Sequence, residues 1–309
     1  MKIPAVDARA LLNPEHPEHR DAINRVSVGA LDVGFLTVSH TGISAEQVEN
    51  LLHTYRQFFL LPDHIKATVD MAHTGSNRGW GAPNAEQVNP DANPDYKQVF
   101  DSGLELASDD PLSQHTYYAP NQWPDQPAGF RKIILDYYQQ ATSVALLLLS
   151  AVAQAIGEKA DYFNDKFDKP MALLRGNYYP ARPSSAGAND FGIAPHTDYG
   201  CLTLLATDGT PGLEVKTRKH GWLSVCEPPD VFIINFGEML EMWTSGKVVA
   251  TEHRVVGSNA ERMSVPLFFN PRFDVNVAPV ASKKIVLAGD HLQQRYDGTY
   301  VHRQSAAKG

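Results

Sequence analysis

Two histidines and one aspartate are spaced so that they could share a metal ion. His196 and Asp198 lie in APHTDYG, and His253 lies in TEHRV, 55 positions beyond Asp198. Alternate residues on an extended segment point to the same side, so His196 and Asp198 can aim at one spot. Two imidazoles and one carboxylate cover one face of an octahedral ion and leave the opposite face open. A structural zinc site would close a tetrahedron with a fourth protein ligand, and nothing comparable is offered here. Alone, an H-x-D tripeptide recurs by chance, and a single histidine is more often a hydrogen-bonded core residue.

The flanking residues raise the stakes. Nine positions beyond His253 comes Arg262, then Ser264, in ERMSVPLFF. Upstream of His196 stands LLRGNYYP, with Arg175, Asn177 and Tyr179. Each set has a period of two, so three separate extended runs present polar groups to one face inside otherwise apolar sequence. Burying that many polar groups is costly without partners. A pocket that holds a metal and a charged ligand supplies them.

With these residues in order, the chain resembles the 2-oxoglutarate-dependent Fe(II) oxygenases, in their isopenicillin N synthase-like branch. The resemblance covers most of the length. LDVGFLTVSHTGIS is similar to the family's leading strand, with its usual His-Gly pair interrupted as His40-Thr41-Gly42. SNRGW and NPDYKQVFDSG (Arg78 to Trp80, Asn93 to Gly103) resemble the active-site entrance loop, and NQWPDQPAGFRKIILDYYQQ the opening of the long helix.

The resemblance implies a mixed α+β fold, mainly β. Its core would be a double-stranded β-helix (jelly roll) with flanking N-terminal helices and one long supporting helix. It implies that His196, Asp198 and His253 bind Fe(II). Arg262 would hold the distal carboxylate of 2-oxoglutarate through two parallel hydrogen bonds, a task suited to a planar guanidinium. Ser264 would add a hydroxyl donor, and Tyr179 with Asn177 would help fix the co-substrate. The activity implied uses O2, releases succinate and CO2, and oxidises a small molecule by hydroxylation, desaturation or cyclisation. Candidate substrate contacts are Arg175, Arg78, Trp80 and Phe100. Arg175 faces the pocket beside Asn177, so it pairs either with a carboxylate on the substrate or with an internal acid such as Glu86 or Asp101.

Two departures keep alternatives open. Plant members usually follow N-Y-Y-P with Cys-Pro, whereas this chain continues Ala181-Arg182-Pro183, so a plant-like substrate is not carried over. An isopenicillin N synthase-type oxidase also has Arg-x-Ser but uses O2 without a 2-oxo acid; Asn177-Tyr178-Tyr179 favours the 2-oxoglutarate users. A non-catalytic jelly-roll binding protein leaves Arg262 and Ser264 unexplained, and a zinc hydrolase lacks an obvious general base.

The 309 residues, 43% of them hydrophobic, suffice for a substantial core. They are expected to form a single catalytic unit (1–309). Within it, 1–168 would be a helical and loop region, 169–275 the jelly-roll core with the iron site, and 276–309 a C-terminal strand, helix and tail. A net charge of −8 argues against a nucleic-acid partner. Cys201 and Cys226 read as buried free thiols, which suits a reducing cytosol. The most apolar stretch, Val144 to Ile156, is 13 residues long, and a membrane span needs roughly 20. A cytoplasmic protein is expected, without membrane partner, as a monomer or weak homo-oligomer.

Local signals place these residues. Ser44 opens S-A-E-Q, a capping box before an apolar-periodic run that ends ahead of Pro62. Residues 71–125 read as loops with a few short strands. Phe130 to Ile156 reads as one long helix stopped at Gly157, and Asp161 to Phe167 as a short one. From Met171 short β-type runs succeed one another without intervening helices, which favours a sandwich or barrel over a Rossmann sheet. GDHLQQRYDGTY reads as a last helix before a polar tail. Nearly all of the histidines outside the motifs, a group that includes His291, read as surface residues.

Overall fold

The computed structural model describes residues 3–73, 76–83, 97–181, 192–217, 221–257, 260–279 and 281–299. Its first six strands are β1 (Ala5–Asp7), β2 (Phe35–Ser39), β3 (Gly79–Gly81), β4 (Gln98–Gly103), β5 (Leu173–Tyr179) and β6 (Ile193–His196). The next six are β7 (Leu202–Thr207), β8 (Leu213–Thr217), β9 (Gly221–Val225), β10 (Phe232–Phe236), β11 (His253–Val255) and β12 (Arg262–Phe269). The helices are α1 (Ala8–Leu12), α2 (His19–Val28), α3 (Ala45–Phe59), α4 (Asp63–Lys66), α5 (Phe130–Ala155), α6 (Glu238–Trp243) and α7 (Ala288–Thr299).

An eight-stranded sheet runs β1-β2-β10-β7-β12-β5-β4-β3, and a four-stranded sheet runs β6-β11-β8-β9. Among the described residues, β1 and β2 are the one pair of these strands that runs parallel, with a lone parallel bridge between Asp70 and Trp80. The two sheets meet through Phe35 and Ile233 on one side and Leu213, Val215 and Val255 on the other. This is the expected jelly roll. Strands β1 to β4 belong to the main sheet, so that sheet extends across the boundary drawn at residue 168.

Helix α3 forms as its sequence dictates. Ser44 accepts from the Gln47 backbone N–H while the Gln47 side chain accepts from the Ser44 N–H, closing the capping box. Its buried stripe of Val48, Leu51, Leu52, Tyr55 and Phe58 packs on the sheet, each large side chain contributing about 1.5–3 kcal/mol before entropy is charged. The 26-residue α5 lies against β7 and β12 and stops at Gly157, whose φ is +90°. Among the described residues no helix is long and apolar enough to cross a membrane.

Alternation on β12 positions the site. Met263, Val265, Leu267 and Phe269 pack into the core shared with the helices. Arg262, Ser264, Pro266 and Phe268 line a cavity on the other face. β5 divides likewise, with Leu174 and Tyr178 inward to the core and Leu173, Arg175, Asn177 and Tyr179 to the cavity. Pro266 has no N–H for a ladder. The β12–β5 register steps from Ser264 opposite Asn177 to Leu267 opposite Leu174 without a paired residue between.

Three local expectations are corrected. Asp161 to Phe167 forms turns and a single 3-10 turn at Asn164–Lys166 rather than an α-helix. Cys226 is exposed just past β9, its thiol donating to the Gly209 carbonyl, while Cys201 is buried. His291 is half-buried and bonded, not a surface residue. His220, His302 and the polar tail lie outside the described residues.

Candidate active site

A partly open cavity lies between the sheets, with about 1030 Å³ of empty space when the adjoining solvent is counted. β6 and β11 run antiparallel with His196 directly opposite His253, which brings two residues distant in sequence side by side on neighbouring strands. Asp198 follows two residues past the end of β6. The Asp198 Oδ1 atom lies 3.8 Å from His196 Nε2 and 3.7 Å from His253 Nε2. One ligand atom from each residue falls within 4.8 Å of the others. The three side chains are only 10–14% exposed.

Surrounding hydrogen bonds decide which atoms face the common point. His196 Nδ1 lies 2.8 Å from the Ala194 carbonyl and His253 Nδ1 3.1 Å from the Thr251 carbonyl. A carbonyl can only accept, so Nδ1 carries the proton in each ring and the Nε2 lone pair is left for a metal. Asp198 Oδ2 accepts from Thr203 Oγ1 at 2.5 Å and Asn235 Nδ2 at 2.7 Å, which leaves Oδ1 turned to the histidines. Burial, with His253 beside it, pushes the His196 imidazole down to about 3, so it stays neutral. Burial pushes the Asp198 carboxyl up, but both histidines and its two hydrogen-bond donors outweigh this and hold it low. A neutral imidazole and an ionised carboxylate are the protonation states that bind a divalent cation.

The turn carrying Asp198 is gripped from behind by the start of α6. Glu238 N–H donates to the Asp198 carbonyl at 2.8 Å, Gly237 N–H to Cys201 at 3.0 Å and Met239 N–H to Gly200 at 3.1 Å. These are first-turn amides with no partner inside their own helix. The approach requires glycine: a Cβ on Gly237 would sit 2.4 Å from the Gly200 carbonyl oxygen, and one on Gly200 would sit 1.9 Å from Asn270 Oδ1. Asn270 Oδ1 in turn accepts from Cys201 N–H at 2.9 Å.

On the main sheet, Arg262 pairs in register with Tyr179 and Ser264 with Asn177. The Arg262 guanidinium lies 5.2 Å over the Tyr179 ring, and its Nε makes a long 3.3 Å bond to the Thr210 carbonyl. Asn177 Nδ2 donates to Ser264 Oγ at 3.4 Å. Arg262 Nη1 and Asn177 Oδ1 are buried and have no hydrogen-bond partner among the described residues. A buried guanidinium nitrogen without an acceptor costs free energy, and a carboxylate entering this end of the cavity would supply one. The donor set therefore fits 2-oxoglutarate at Arg262 and Fe(II) at the His-Asp-His group.

The other candidate contacts fall elsewhere. Arg175 lines the cavity and donates to both oxygens of Asp101 at 2.7 and 2.6 Å, so the internal pairing is formed. Glu86 lies outside the described residues. Phe100 is fully buried against Phe58 and Phe130, with centroids 5.0 and 4.9 Å away. Trp80 is buried and donates to Gln98 Oε1, and Arg78 donates to the Asn77 and Tyr117 carbonyls. None of these three lines the cavity. On β4, Phe100 faces the hydrophobic core shared with α3 and α5, and Asp101 next to it points the other way to meet Arg175. Sequence reasoning missed Thr203, Asn235, Lys97, Phe268, Tyr199 and Tyr296. Thr203 and Asn235 could have been found as polar residues inside the apolar runs CLTLLAT and VFIINF.

Comparison with known proteins agrees with this geometry. Residues 3–126 match the model for the N-terminal region of non-haem dioxygenases in morphine synthesis, and residues 170–271 match the 2OG-Fe(II) oxygenase superfamily. A 2-oxoglutarate-dependent dioxygenase (tropC) of Talaromyces stipitatus is 30% identical, covering 95% of this chain and 94% of its own. A full-length Neurospora crassa protein solved with alpha-KG superposes with a TM-score of 0.85 at 25% identity, over 96% of both chains. The same protein has been solved with thymine as well. JOX2, solved with 2OG, Fe and JA, gives a TM-score of 0.79 at 26% identity over 99% of this chain and 89% of its own. The chain belongs to the 2-oxoglutarate–Fe(II) oxygenase superfamily. It is a non-haem Fe(II) oxidoreductase whose co-substrates are 2-oxoglutarate and O2 and whose relatives act on small molecules.

Proposed function

We propose that His196, Asp198 and His253 hold the Fe(II), and that Arg262, Ser264, Asn177 and Tyr179 hold 2-oxoglutarate. Bound Fe(II) supplies O2 activation coupled to conversion of 2-oxoglutarate into succinate and CO2, with oxidation of a C–H bond on the substrate. The protein's part is placement. Arg262 anchors the distal carboxylate of the co-substrate, with the Ser264 hydroxyl beside it. Thr203 and Asn235 fix the face of Asp198, and the two backbone carbonyls fix the tautomer of each histidine. The observation that carries this reading is that Arg262, whose Nη1 has no hydrogen-bond partner among the described residues, lines the same cavity as the three converging metal-binding residues.

The remaining cavity wall includes Leu173, Phe268, Tyr199 and Tyr296 beside Lys97 and Asn270, so the substrate is a small molecule with an apolar or aromatic part. With Arg175 already paired to Asp101, the wall gives no reason through that residue to require a carboxylate on it. The described residues on both sides of position 168 work as one catalytic unit, because strands from before it build the sheet that bears the site. An exposed free thiol at Cys226 suits a reducing, cytoplasmic setting.

Release of labelled succinate tests this reading. The Fe(II)-loaded protein should convert 2-oxoglutarate to succinate and CO2 in air, faster when a true substrate is added, and Arg262→Ala should lose most of that turnover. Substrate-driven O2 uptake that needs no 2-oxoglutarate would install the oxidase alternative instead.

A further inference from the structure

Helix α7 closes one side of the active-site cavity with Leu292 and Tyr296. Its first turn is tied to the body of the protein. Ala288 N–H donates to the Val275 carbonyl at 2.9 Å, Gly289 N–H to Phe273 at 2.8 Å, and Tyr117 Oη–H to the Gly289 carbonyl at 2.5 Å. Beyond that turn, α7 leans on the segment that carries Asp198. His291 Nε2 lies 3.0 Å from the Tyr199 carbonyl, and the Arg295 guanidinium lies 5.7 Å over the Tyr199 ring. Arg295 also pairs with Glu238 Oε2.

Glu238 is where these contacts meet. Its backbone N–H holds the Asp198 carbonyl, and its Oε1 accepts from Thr197 Oγ1 at 2.5 Å. Thr197 stands between His196 and Asp198, so any turn of its backbone moves two of the three metal-binding side chains. One carboxylate thus grips the metal-ligand turn with one oxygen and the cavity-closing helix with the other. The Arg295 side chain is 48% exposed and Glu238 23%, and an ion pair so exposed adds little stability by itself. Its location gives it a different use.

We propose that Glu238 is a positioning residue that couples the docking of α7 to the geometry of the His196-Thr197-Asp198 turn. The inference rests on the metal reading above. A docked α7 keeps the Glu238 carboxylate fixed on Thr197, which holds His196 Nε2 and Asp198 Oδ1 in their binding arrangement. By linkage, a metal that requires that arrangement must favour the docked helix to the same degree. Loading the site would therefore tighten the wall of the substrate cavity.

Co(II) is the probe, since its visible spectrum reports coordination without the oxidation that complicates Fe(II). Titrations would use the full chain as wild type, Arg295→Met, Thr197→Val and the double variant, alongside amide hydrogen exchange of α7. Arg295→Met removes a half-exposed group remote from the metal and should still weaken Co(II) binding by roughly 2- to 30-fold, the range for substitutions along a coupled network. Thr197→Val should weaken it similarly, and the double variant should lose less than the two losses multiplied together. Co(II) should slow α7 exchange in wild type and not in either single variant. Unchanged Co(II) affinity in Arg295→Met, or losses that simply multiply, would overturn the coupling while leaving the metal site standing. A wild-type protein that takes up no Co(II) would remove both the metal reading and this one.

Discussion

Arg175 and Asp101 stand opposite each other in the β5–β4 register and are joined by two charge-assisted hydrogen bonds of 2.7 and 2.6 Å, with Asp101 fully buried. The pair places a charged link in the floor of an oxidising cavity. Asp101→Asn would replace the charged partner of this buried guanidinium with a neutral one. Breaking a buried pair by removing one member costs about 3–5 kcal/mol, so urea unfolding should show a large loss of stability. A change below 1 kcal/mol would mean that the pair is not structural.

Arg262→Ala should raise the 2-oxoglutarate Kd about 10- to 150-fold, the worth of one charge-assisted hydrogen-bonded contact. Metal affinity should barely move. Ser264→Ala should shift the Kd in the same direction by less. Calorimetric titration of 2-oxoglutarate into metal-loaded protein checks both, and equal Kd values for wild type and Arg262→Ala would take the co-substrate away from this strand.

Thr203→Val and Asn235→Ala each strip one donor from Asp198 Oδ2 without touching a metal-binding atom. Partners of this kind typically affect metal affinity by about 10- to 100-fold. Competition with a chromophoric chelator should find losses in that range, against near-complete loss for His253→Ala.

Acid should destabilise the metal-free protein early. In the unfolded chain His196 takes up a proton near its ordinary value of 6.5, whereas in the fold burial delays this to about 3. Between those values the unfolded state binds more protons, so stability falls as pH drops from 6.5 towards 3. The lowered Asp198 carboxyl acts in the same direction at the acid end. Urea midpoints at pH 7.5 and pH 5 should differ, and the difference should shrink in His196→Asn. An equal difference in that variant would place the acid sensitivity elsewhere.

The legible parts of this molecule were those where short-range pattern and structure share a cause. Ser44 and Gln47 announce their helix because a capping box is a local bargain between neighbours. Arg262 with Ser264, and Asn177 with Tyr179, are legible because strand alternation puts each pair on one face. The position of Phe100 was not, since which face of β4 meets the hydrophobic core depends on its register against β5, set far away in sequence. Arg175 was ambiguous for the same reason: Asp101 becomes its partner only when the two strands pair. Glu238 gave no signal at all, as its role arises from three elements meeting.

The most direct measurement is an anaerobic titration of 2-oxoglutarate into the Fe(II) protein followed by visible absorption. A 2-oxo acid chelating Fe(II) in this site should give a weak charge-transfer band that saturates with 2-oxoglutarate, is absent in His253→Ala, and needs far more co-substrate in Arg262→Ala. A wild-type protein that binds Fe(II) and develops no band at any 2-oxoglutarate concentration would contradict the assignment of this cavity.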